Sequence, residues 1–104
     1  MKNGLIVNNK DKSKKWYVND ILHREDGPAI ITSYGTKVWL IDGLIHRHDS
    51  PAIECANGDE EWYLMGEKHR AGSPAVVAFK HNEWFLHGKE LVHPKEFSTT
   101  KEWF

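Results

Sequence analysis

The sequence predicts a mostly β protein, an antiparallel meander of consecutive hairpins closed by a short C-terminal helix. Three observations carry this expectation. The segment HREDGPA at 23–29 returns as HRHDSPA at 46–52 and HRAGSPA at 69–75, a period of 23 residues. Trp16, Trp39 and Trp62 keep the same spacing, and Trp84 follows after 22. Each Trp opens a short apolar run that reaches a two-residue turn: WYV-ND-ILH, WLI-DG-LIH, WYL-MG-EKH and WFL-HG-KEL. A fixed period of this length marks a repeat architecture, in which each unit buries its apolar face against its neighbours.

Residues 1–15 form half a unit, an apolar strand at Leu5-Ile6-Val7 followed by the polar loop NNKDKSKK. They serve as an N-terminal cap for the array. From residue 16 to 91 run three full repeats and a final hairpin. Asn, Asp and Gly at the turns accept the positive φ values that a type I′ turn requires at both central positions. That turn sets Val18 opposite Ile21, Tyr17 opposite Leu22 and Trp16 opposite His23, with the same register downstream.

Because side chains alternate faces along a strand, Trp16, Trp39, Trp62 and Trp84 lie on one face together with His23, His46 and His69. This face is expected to be the structural core, each His packing across the strand pair against its Trp. Leu91 in the corresponding slot of the last hairpin agrees with an apolar packing role. The opposite face carries a second ladder of Tyr17, Leu40, Tyr63 and Phe85, joined by Leu22 and Ile45. That ladder is taken as the partner-binding stripe, since contiguous exposed apolar surface with Tyr and Phe anchors marks interaction sites. The competing reading makes it the second half of a core, covered by the terminal helix or by a rolled sheet.

After each His-Arg comes a turn at Gly27-Pro28, Ser50-Pro51 or Ser73-Pro74, where Pro marks the start of the next strand because it cannot donate to a ladder. Ala29, Ala52 and Ala75 follow, at positions where a larger side chain would collide with the aromatic layer. The apolar runs then turn back at Tyr34-Gly35, Asn57-Gly58 and Lys80-His81-Asn82. Beyond residue 91 the pattern breaks, and Pro94 and Glu96 suit the first turn of a helix. Residues 92–104 are therefore expected to form a helical cap, the whole of 1–104 making a single repeat domain.

Composition narrows the function classes. With 14 Lys and Arg against 15 Asp and Glu, the net charge of -1 gives no general attraction for nucleic acid. The single cysteine, Cys55, cannot form an internal disulfide, which favours a reducing compartment. No stretch approaches the ~20 apolar residues of a membrane span. A cytoplasmic protein is expected.

The unit W-x-x-x-G-x-x-H-R-x-D-G-P-A, followed by x-x-x-x-x-G-x-x-x-W, resembles the MORN-like repeats of many bacteriophage, giant-virus and bacterial proteins. The resemblance spans residues 16–91 and extends to the ending, where PKEF at 94–97 looks like the short helix that closes such arrays. It implies a protein-interaction or membrane-proximal scaffold, catalytic only when another domain is attached. Departures are Gly72, where the first two units have Asp26 and Asp49, and the loss of His-Arg and Pro-Ala from the last unit.

No catalytic residue, metal site or cofactor is expected. Equivalent histidines are separated by whole repeats, too far apart for a chelate at ~4.8 Å per strand, and His46 and His48, an i,i+2 pair on one face, could hold a metal only with a third group. The His-Arg-x-Asp cluster reads as a turn motif, because an enzyme needs one asymmetric constellation and not three copies. Cys55 sits in an apolar strand, where thiols are inert. By analogy with the phage repeats it resembles, the expected function is a non-enzymatic interaction module, encoded by a phage, that inhibits a host protein, including one of antiviral defence, or that self-associates as a homodimer. The alternative is a membrane-surface scaffold using Lys10, Lys12, Lys14 and Lys15. Neither nucleic acid nor a small-molecule substrate is expected as a partner.

Overall fold

The turns set the local structure. In a computed structural model that describes residues 1–78 and 81–91, both central residues of each hairpin turn have positive φ. The values are 49° and 69° at Asn19-Asp20, 49° and 80° at Asp42-Gly43, 46° and 85° at Met65-Gly66, and 47° and 80° at His87-Gly88. These are type I′ turns, and their twist matches that of the strands they join. A two-residue loop leaves no freedom of register. Val18 accordingly pairs with Ile21, Tyr17 with Leu22, Ile41 with Leu44, Leu64 with Glu67 and Leu86 with Lys89.

β1 (Gly4–Val7) pairs antiparallel with β2 (Lys14–Val18). Unit one continues with β3 (Ile21–Leu22) and β4 (Ile30–Ile31). Unit two supplies β5 (Lys37–Val38), β6 (Leu40–Ile41), β7 (Leu44–Ile45) and β8 (Ile53–Glu54). Unit three supplies β9 (Glu60–Glu61), β10 (Tyr63–Leu64), β11 (Glu67–Lys68) and β12 (Val76–Ala78), and β13 (His81–Leu86) with β14 (Lys89–Leu91) ends the array. The sheet runs β1-β2-β4-β5-β8-β9-β12-β13-β14, with every pairing antiparallel, and no helix occurs among the described residues. The C-terminal helix expected over residues 92–104 lies outside them, as does Lys80 of the last return turn.

The tryptophans divide each long strand between two partners. Trp16, Trp39 and Trp62 donate their backbone N–H to the carbonyls of Ala29, Ala52 and Ala75 at 2.7–2.8 Å. Their own carbonyls accept from the N–H groups of His23, His46 and His69 at 2.9–3.0 Å. Residues before the Trp therefore belong to the meander, and residues after it belong to a hairpin. The hairpins β6-β7 and β10-β11 form separate two-stranded ladders on this account.

The core is thin. Ala29, Ala52 and Ala75 have no exposed surface, Leu40 is 6% exposed, and no large side chain among the described residues is fully buried. Trp16, Trp39, Trp62 and Trp84 are half-buried, as are His23, His46 and His69. The Trp and His face expected as the core is thus mostly covered without being sealed from solvent. The tryptophans sit where the strand changes partner, so neighbouring units enclose the backbone there and leave part of each indole at the surface.

The three alanines hold the tightest place in the fold, between the Trp strand and the returning strand. Enlarging one of them overpacks a site with no room to relax, at a cost of roughly 1–3 kcal/mol. Ala52→Leu should therefore lower the urea midpoint of unfolding, whereas Ala56→Leu, at an exposed position, should leave it nearly unchanged.

Candidate functional site

Each His-Arg pair joins its own unit to the next one. His23 Nδ1 accepts the backbone N–H of Asp42 at 2.9 Å, His46 Nδ1 accepts that of Met65 at 3.0 Å, and His69 Nδ1 accepts that of His87 at 2.8 Å. The turn glycines donate to the preceding hairpin, Gly43 to Leu22, Gly66 to Ile45 and Gly88 to Lys68, at 2.7–2.8 Å. The arginine backbones close the seam by donating to the carbonyls of Leu40, Tyr63 and Phe85, at 3.1, 3.3 and 3.1 Å. The turns thus take their partners from the unit before them.

The arginine side chains cover the tryptophans. The guanidinium carbons of Arg24, Arg47 and Arg70 each lie 3.8 Å from the ring centroid of Trp16, Trp39 and Trp62. Each Nη1 donates to a carbonyl four residues on, that of Pro28, Pro51 or Pro74, at 3.1–3.2 Å. This locks the His-Arg loop against its own strand. Arginine, not histidine, is therefore the group stacked on the indole. The planar guanidinium suits that position better than imidazole because it keeps its charge and gains the cation–π attraction.

The residues expected to bind a partner are partly covered. Leu40 is buried at 6% exposure and presents no usable surface, which corrects its assignment. Tyr17, Leu22, Ile45, Tyr63 and Phe85 are half-buried. Lys2 Nζ lies 5.0 Å above the Tyr17 ring and Lys68 Nζ 5.0 Å above Phe85. Tyr63 Oη bonds Glu61 Oε1 at 3.1 Å, and burial, reinforced by the Glu61 charge, pushes its hydroxyl up to about 12. The ladder is therefore mostly seam, since its own carbonyls hold the preceding arginine.

The exposed apolar surface lies one residue away, beside the turns. Val18, Ile21, Leu44 and Met65 are 47%, 48%, 42% and 55% exposed. They are connected from unit to unit: a Cβ built on Gly43 would lie 3.3 Å from Ile21 Cγ2, and one on Gly66 would lie 3.4 Å from Leu44 Cδ2. Glu67 takes the corresponding position over Gly88 at 3.5 Å, so the apolar row ends in unit three. The sequence carried a signal for this row, the fading of the position after the turn from Ile and Leu to Glu and Lys. By alternation Val18, Ile21 and Leu44 share the face of the tryptophans, the face expected to be the core, and this hid the signal. At the sheet edge Leu5, Ile6 and Val7 of β1 are also exposed, at 48%, 41% and 42%.

Among the described residues no group of three His, Cys, Asp or Glu side chains could hold a metal ion. Cys55 is half-buried, and burial, together with the charges of Glu61 and Asp59, raises its thiol pKa. It stays protonated and weakly nucleophilic. No helix of the described residues is long and apolar enough to cross a membrane. Comparison with protein-family models finds no matching family, and comparison with curated proteins and with solved structures finds no significant match.

The seam depends on an unprotonated Nδ1, and His69 shows how this couples to pH. Burial and then the neighbouring His87, whose ring centroid is 4.2 Å away, lower its pKa from the ordinary 6.5, with Glu67 opposing them. The folded chain therefore binds fewer protons at His69 than the unfolded chain does. Its contribution to stability is complete above about 6.5 and is lost as the pH falls. The urea midpoint should drop between pH ~7.5 and ~5.5, and His69→Gln should show a smaller drop across the same interval.

Proposed function

We propose that this chain is a non-enzymatic protein-interaction module of the MORN-like kind, which docks a partner protein on its row of hairpin tips. The observation that carries this reading is the connected row Val18, Ile21, Leu44 and Met65, about half exposed on turns that are held rigid from behind. Apolar side chains that stay in water on a repeat surface find their energetic use in association. Rigid turns favour binding, because the surface loses little conformational freedom when it is covered. The phage and bacterial repeats that the units resemble make a bacterial host protein the partner to seek, with inhibition of that protein, in antiviral defence or another process, as the outcome of docking.

A second reading has its own support. β1 exposes Leu5, Ile6 and Val7, and it pairs with β2 where Lys14 and Lys15 lie opposite Val7 and Ile6. With Lys10 and Lys12 in the adjoining loop, that edge combines apolar and basic groups as an anionic membrane surface requires.

Tagged wild type and an Ile21→Lys/Leu44→Lys variant, passed over a bacterial lysate, separate the readings. One stoichiometric protein retained by the wild type and lost by the folded variant is the expected result. Retention of the same protein by the variant would move the docking surface elsewhere. Sedimentation with anionic vesicles at low salt, abolished by Lys14→Glu/Lys15→Glu, would replace the protein partner with a lipid surface.

A further inference from the structure

Three recesses recur along the His-Arg side of the array, one beside each Arg-Trp stack. The first is lined by Trp16, Arg24, Glu25 and Asp26, and the second by Glu25, Asp26, Trp39 and Arg47. Each of these combines one arginine with two carboxylates. The third, of about 250 Å³, lies between the Arg47-His48-Asp49 loop of unit two and Trp62, His69 and Arg70 of unit three. It has two arginines and one carboxylate, so the charge balance reverses at this point.

The three arginines, the only ones in the chain, differ in their acidic partners. Arg24 Nε bonds Asp26 at 3.0 Å, and Arg47 Nη1 bonds Glu54 at 3.1 Å. Arg70 has no carboxylate within ion-pair distance among the described residues, although it keeps the same indole stack and the same bond to a proline carbonyl. The sequence accounts for this. Gly72 stands one repeat after Asp49, and Val77 stands one repeat after Glu54. Glu60 favours the Arg70 charge from a distance, while burial opposes it. Trp62 also lines this recess, and its indole Nε1 is buried without an acceptor among the described residues. A half-buried cation with no carboxylate beside it is costly unless a ligand supplies one.

We propose that the third recess is a carboxylate site, in which Arg70 offers its free Nε and Nη2 edge to an acidic side chain of the partner protein. The identity of the carrier rests on the interaction reading above, whereas the site itself does not. With Nη1 committed to the Pro74 carbonyl, the remaining edge is a planar pair of donors that matches a carboxylate. Asp49 on the rim points to solvent beside His48, at 88% exposure, and disfavours a dianion such as phosphate. A neutral ligand would leave the arginine charge uncompensated.

The test uses the full chain and its three arginine Nε–Hε signals in nitrogen-15 spectra, assigned by single Arg→Lys substitutions. The titrants are N-acetylglutamate amide, N-acetylglutamine amide and inorganic phosphate. A saturable shift of the Arg70 signal with the glutamate amide alone, and still signals for Arg24 and Arg47, is expected. Val77→Glu, which rebuilds the unit-two pairing, should abolish that shift. An immobile Arg70 signal, equal movement of all three, tighter binding of phosphate, or a shift surviving in folded Val77→Glu would overturn the proposal. The wild-type titration decides the matter even if that variant does not fold. Failure here leaves the hairpin-tip reading standing, and failure of partner capture leaves the carboxylate site standing, so the two are separable.

Discussion

Each hairpin turn of this chain is completed by the unit that precedes it. The backbone N–H of Asp42, Met65 and His87 points at a histidine nitrogen of the earlier unit, and the adjacent glycine N–H points at a carbonyl of the earlier hairpin. With the arginine N–H this makes three hydrogen bonds per seam, each contributing about 0.5–1.5 kcal/mol. An isolated two-stranded hairpin is marginal in water, and the buried residues among those described, three alanines, Leu40 and Pro51, are too small a core to compensate. Stability is therefore carried along the array by nearest-neighbour terms, as in other repeat folds.

The same constraint shapes the surface. Because the turns are held from behind, the side chains flanking them face outward and stay ordered. The glycine at the second turn position admits the preceding unit's Ile21 or Leu44, and its positive φ is one that β-branched and bulky residues resist. Structural need and exposed apolar surface thus arise from one contact. The repeat can then vary chemically without changing shape: Glu67 and Lys89 replace apolar residues beside later turns, and Gly72 and Val77 remove the acids from beside Arg70. Variation of this kind places distinct chemistry at chosen positions on a constant scaffold.

The local structure was legible in the sequence because a two-residue turn fixes register, so the dipeptides at 19–20, 42–43, 65–66 and 87–88 determine every hairpin pair. The alanines were legible for a related reason, since small residues at a fixed phase imply a close approach. The assignment of faces was less so. Periodicity says that Trp16 and Trp39 are equivalent but not what either touches, and the strand changes partner at the Trp. Alternation gives two apolar faces without ranking them, and the indoles and the Tyr17–Leu40 ladder are both partly covered, Leu40 alone of these being buried. The His-Arg pair was recognised as a repeated turn element, yet its bond to the following unit joins residues 18 or 19 positions apart and leaves no local signature.

Native-state hydrogen exchange at the turn amides tests the coupling between units most directly. Asp42, Met65 and His87 lie in exposed turns, so only the histidine acceptors protect their N–H groups. They should exchange more slowly than the loop amide of Tyr34, which has no hydrogen-bond partner among the described residues, by about ten-fold or more, the equivalent of ~1.4 kcal/mol. His46→Ala should remove this protection at Met65 first. Exchange of the three amides as fast as that of Tyr34, or unchanged protection of Met65 in the variant, would contradict the claim that each unit is held by the one before it.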